Sequence, residues 1–121
     1  MQKSHWHCKL AAARAAPIPQ GRHSAELLRH GSLEVRYYAP AGVDSQEPHD
    51  RDELYVVASG SGTFVRGEER ITFGPQDVLF VPAKTEHRFE ACSPDFGAWV
   101  MFYGPRGGER ESPFAGLGPT P

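Results

Sequence analysis

The sequence predicts an all-β domain, an antiparallel sandwich or barrel, and three observations carry that reading. Eight short segments rich in β-branched and aromatic residues succeed one another between about Ser24 and Tyr103. Glycine, proline and small polar residues divide them at close spacing, as turns between antiparallel neighbours require. No helical period long enough for a crossover connection falls between them, so a parallel α/β sheet is excluded.

Residues 1–23 form an arm, alanine-rich and then punctuated by proline and glycine. Lys9 to Ala16 can make a brief helix, which Pro17 and Pro19 end. His5-Trp6-His7-Cys8 has the composition of a metal tract, but four residues near a chain end read as an adventitious cluster. The domain spans residues 24–104, with strands expected at Glu26–Arg29, Leu33–Ala39, Glu53–Ser59, Gly62–Arg66, Arg70–Phe73, Val78–Val81, His87–Glu90 and Ala98–Tyr103. Residues 105–121 are rich in glycine, proline and charge, and are expected to be a flexible tail docked at most through Phe114 and Leu117.

Leu54, Tyr55, Val56 and Val57 are apolar or aromatic on both faces of one strand, and Ala98 to Tyr103 repeats the pattern. The outer face of that sheet should therefore be covered, either by the arm or by a second copy in a homodimer.

At 121 residues the chain fits one domain with a core of its own. Thirteen basic and fifteen acidic residues are present and the basic ones are scattered, which argues against a nucleic-acid footprint or a membrane-surface patch and favours a small-molecule ligand or a protein partner. Cys8 and Cys92 have no C-x-x-C spacing and no disulfide framework, which suits the cytoplasm. Arg14 interrupts the alanine run, so the N-terminus does not read as a secretion signal, and no stretch approaches the roughly 18 apolar residues of a membrane helix.

The chemistry sits in two segments. Residues two apart on a strand share a face, so Glu47, His49 and Glu53 point the same way if the strand runs without a bulge. His87, the only later histidine, can complete the set from a neighbouring strand. Imidazole and carboxylate donors with open positions suit a divalent Fe, Mn, Ni or Zn ion. Arg51 and Tyr55 share parity with Glu53, and Phe89 with His87, so all three are candidate substrate contacts. Arg51 either anchors a carboxylate or neutralises Glu47 and Glu53; Phe89 either packs the core or supports a substrate.

These spacings resemble the two motifs of the cupin superfamily, G-x5-H-x-H-x3,4-E-x6-G and G-x5-P-x-G-x2-H-x3-N. Three residues separate His49 from Glu53, six separate Glu53 from Gly60, and Pro82 and His87 stand at the expected separation. The resemblance implies a double-stranded β-helix, or jelly-roll barrel, with a metal on Glu47, His49, Glu53 and His87. Glu47 stands where the family has its first histidine, Gln76 and Lys84 replace the two glycines of the second motif, and Ala91 replaces its final asparagine. An added carboxylate raises the negative charge of the site, which is expected to weaken a preference for anionic substrates. What the resemblance implies for function is a metal-dependent dioxygenase, isomerase or lyase, or else a non-catalytic binding or sensor barrel. The chain has no Gly-x-Ser-x-Gly elbow and no phosphate-cradling glycine loop.

Overall fold

The computed structural model describes residues 6–40 and 48–110. A short helix α1 (Leu10–Ala15) precedes β1 (Ala25–His30), β2 (Leu33–Tyr38), β3 (Asp52–Ser59), β4 (Gly62–Arg66), β5 (Glu69–Phe73), β6 (Val78–Val81), β7 (His87–Glu90) and β8 (Gly97–Tyr103). One sheet has the order β1-β2-β8-β3-β6 and the other β5-β4-β7. Every pairing is antiparallel. This is the jelly-roll barrel, and the strand segments expected from branched and aromatic runs form with ends shifted by a residue at most.

Alternation along each strand fills the interior. On β3 the inward residues Glu53, Tyr55 and Val57 are all fully buried. Tyr38, Phe64, Phe73, Phe89 and Phe96 join Tyr55 in one aromatic cluster, with aliphatic contacts from Leu79, Val81 and Val100. Phe89 sits at its centre, with ring centroids 4.9 Å from Phe96 and 5.0 Å from both Tyr55 and Phe64. Such edge and offset contacts add packing specificity to the area buried.

The arm returns to the barrel. α1 packs against β2, Ala13 is buried, and the Arg14 guanidinium donates to Ser59 Oγ at 3.0 Å. At the other terminus, residues 105–110 are held down: Glu109 N–H donates to Asp52 Oδ2 at 2.8 Å and Gly107 N–H to the Asp50 carbonyl at 2.7 Å. Phe114 and Leu117 lie outside the described residues.

Candidate metal centre

Glu53 and His87 face each other from different sheets. Glu53 lies on β3, paired with Phe102 of β8 and Val81 of β6, whereas His87 opens β7 opposite Arg66 of β4. Both are buried to within 2% of complete exclusion from solvent. His49 arrives differently. The segment Pro48 to Arg51 precedes β3 and is not strand, so the uninterrupted strand expected through His49 does not form, and its side chain is placed by other means. Lys84 N–H donates to the His49 carbonyl at 2.6 Å, Gly107 N–H holds the next carbonyl, and Arg51 bonds the Ser32 carbonyl at 2.9 Å and Glu34 Oε1 at 2.8 Å. A clamped loop thus delivers what strand parity alone does not.

The three donors converge. His87 Nε2 lies 3.0 Å from Glu53 Oε1, His49 Nε2 lies 3.6 Å from Glu53 Oε2, and one donor atom from each residue falls within 4.8 Å of the other two. Donors around a shared ion at about 2.1 Å stand roughly 3 Å apart, so this is a set one cation can bridge. Glu47 lies outside the described residues.

Protonation favours the same reading. The His87 ring places Nδ1 2.9 Å from the Thr85 carbonyl, which can only accept, so Nδ1 carries a proton and the ring is held with Nε2 toward Glu53. Burial pushes the His49 imidazole below its usual pKa; Glu53 opposes this, and the positive charge of His87, His23 and Arg51 adds to it. His49 is thereby kept neutral, as a ligand must be. Both Glu53 oxygens are buried with no hydrogen-bond partner among the described residues. A buried carboxylate without donors is costly, and a cation between it and two imidazoles removes that cost. The residues present fit a divalent metal, and neither described cysteine belongs to the cluster.

The other expected contacts separate. Tyr55 lies fully buried beneath the cluster, its hydroxyl 3.3 Å from His87 Nε2. Arg51 turns away toward Glu34 and stands over the Phe102 ring at 5.5 Å, in a pocket of about 230 Å³ that His49 also lines. Phe89 is spent on the aromatic core and does not line that pocket. The same pocket contains Glu34 and Arg36 on the inner face of β2 and Arg22 from the arm, none of which the motif reading singled out. Their signal was the alternation Glu34, Arg36, Tyr38, which puts two charges on the inward side of a barrel strand.

The family model described as a cupin domain matches residues 35–103, more than half of the chain and the whole of the cluster. This chain belongs to the cupin domain family. An uncharacterized protein of Streptomyces coelicolor is 38% identical over 82 residues, covering 66% of this chain and 78% of that one. A solved structure of unknown function from Rhizobium leguminosarum has a TM-score of 0.65 at 20% identity, covering 85% of this chain and 96% of that one. A chain from the crystal structures of the DMSP lyases RdDddP and RnDddQII has a TM-score of 0.53 at 26% identity. That match covers 62% of this cupin but only 40% of the lyase-structure chain, so this chain spans less than half of it. The described residues of the cupin include no helix long and apolar enough to cross a membrane.

Proposed function

We propose that this cupin holds one divalent metal ion on His49, Glu53 and His87 and acts as a metal-dependent enzyme on a small organic molecule bound in the adjoining pocket. The observation that carries the reading is the Glu53 carboxylate, buried without a hydrogen-bond partner among the described residues and facing His87 Nε2 at 3.0 Å. A bound Fe, Mn, Ni or Zn ion supplies Lewis-acid polarisation of a ligand oxygen at its open positions. The chain supplies the rest: His49 joins the buried pair to the pocket, its side chain 33% exposed where Glu53 and His87 are closed. Tyr55 places a hydroxyl 3.3 Å from His87 Nε2, within reach to hold or give a proton, and Arg51 is a fixed positive charge on the pocket wall. Likeness to a lyase-structure chain supports an eliminating reaction class for such a site.

The test is metal analysis of freshly purified protein beside His87→Ala and Glu53→Gln, followed by a turnover screen with each metal restored. The reading expects near-stoichiometric metal in the parent chain and loss in both variants. In this reading the protein is cytoplasmic and a homodimer, its partner copy covering what α1 leaves of the outer sheet face; light scattering that gives a monomer mass removes the dimer.

A further inference from the structure

The pocket beside His49 carries a surplus of fixed positive charge. Among the described residues four arginines line it, Arg22, Arg36, Arg51 and Arg106, against two carboxylates, Glu34 and Asp50. The surplus is built into the wall. Arg36 is 2% exposed and immobilised: Nε donates to Ser24 Oγ at 2.6 Å, Nη2 to the Ser24 carbonyl at 2.8 Å, and Nη1 to Glu34 Oε2. Glu34, 4% exposed, is also the acceptor for Arg51, so one buried carboxylate is shared between two buried or half-buried guanidiniums. Arg36 also faces Glu26 at 3.4 Å, and Arg29 faces both carboxylates, Glu26 at 2.6 Å and Glu34 at 3.4 Å. Three guanidiniums thus share two carboxylates, and in a partly desolvated wall the positive remainder is felt.

Arg22 stands at the same pocket with no hydrogen-bond or ion-pair partner for its guanidinium among the described residues. Asp50, the other carboxylate of the lining, already faces Arg106 at 3.7 Å and Lys84 at 3.9 Å. The wall therefore calls for negative charge from outside the chain, and Arg22, exposed at its rim, is free to meet it. The weakened anion preference expected from Glu47 is opposed by these residues.

We propose that this pocket binds the oxyanion end of a small anionic ligand, a carboxylate or a phosphate, with Arg22 as its direct donor and the Arg36–Glu34–Arg51 array as its fixed field. Guanidinium forks match both oxyanions in geometry as well as charge. The proposal deepens the metal-enzyme reading, and depends on it only in that the ligand's other end points to His49.

Isothermal titration of chelator-treated protein with succinate, inorganic phosphate and neutral succinamide tests it. The parent chain should bind succinate or phosphate and not succinamide, and the tighter of the two anions identifies the head group. Arg22→Gln should weaken that binding roughly tenfold, as loss of a charged hydrogen bond does. Arg70→Gln removes the same charge from an exposed site on β5, outside the pocket lining, and should leave binding unchanged. Binding of neither anion, equal binding of succinamide, or equal effects of Arg22→Gln and Arg70→Gln would each overturn the proposal. Because the protein carries no metal in this titration, the two readings fail separately. Anion binding by a chain that holds no metal as freshly purified removes the metal site alone, and metal loading without anion binding removes the oxyanion pocket alone.

Discussion

The backbone N–H of Lys84 donates to the carbonyl of His49 at 2.6 Å, and Lys84 adopts a left-handed conformation, φ 65°, to do so. The turn that leads into His87 therefore also fixes the loop that presents His49. Gln76 (φ 75°) and Ala91 (φ 52°) share this backbone region. These three are the positions where the cupin motif has glycine, glycine and asparagine, residues that reach left-handed φ at least cost.

Replacing Lys84 or Gln76 by glycine should stabilise the fold by about 0.5–1 kcal/mol each, the left-handed strain removed less the extra entropy of the unfolded chain. Lys84→Val should do the opposite. Urea unfolding midpoints read both signs, and a Lys84→Gly protein no more stable than the parent contradicts the strain assigned here.

Asp52 ties three segments together. It is 5% exposed at the start of β3, and its two oxygens accept from Ala83 N–H in the β6–β7 turn and from Glu109 N–H, each at 2.8 Å. Asp52→Ala leaves both donors unpaired and should cost about 2–3 kcal/mol in chemical denaturation, with faster hydrogen exchange at Ala83 and Glu109.

Acid should weaken the wall of the pocket. Burial pushes the Glu34 carboxyl upward, but hydrogen bonds from Arg51 and Arg36 and the charges of Arg29 and Arg36 outweigh it and hold its pKa below the usual value. A carboxyl depressed in the fold contributes stability that is fully present above its unfolded pKa of about 4.3 and is lost as pH falls through the folded value. Glu34→Gln should lower stability at neutral pH and flatten the acid limb of the stability curve. An unchanged acid limb contradicts this account of Glu34.

Much of the fold was legible because each strand announces itself by branched and aromatic residues between turn residues. Gly62–Arg66, Val78–Val81 and His87–Glu90 form with the expected ends. His87 and Glu53 were legible for the same reason, since motif spacing and strand parity agree on them. His49 reaches the cluster although strand parity fails for it, because its loop is positioned by Lys84, Gly107 and Arg51, contacts distant in sequence that no local period encodes. Arg22 and Arg36 were missed because a lone arginine in an arm or a strand reads as solvated until the partner strands show which face is enclosed. Arg51 shares strand parity with Glu53 in the sequence, and its partner is Glu34 of β2, a pairing that needs the register of the barrel.

The most direct test of the metal centre is divalent-metal content measured together with metal-dependent stability. The account predicts near one ion per chain in the parent protein, and a gain of about 2.7 kcal/mol when free metal stands at a hundredfold excess over Kd. His49→Ala, Glu53→Gln and His87→Ala should each lose the ion and the gain. Metal that is substoichiometric in the parent and indifferent to all three substitutions would contradict a centre on His49, Glu53 and His87.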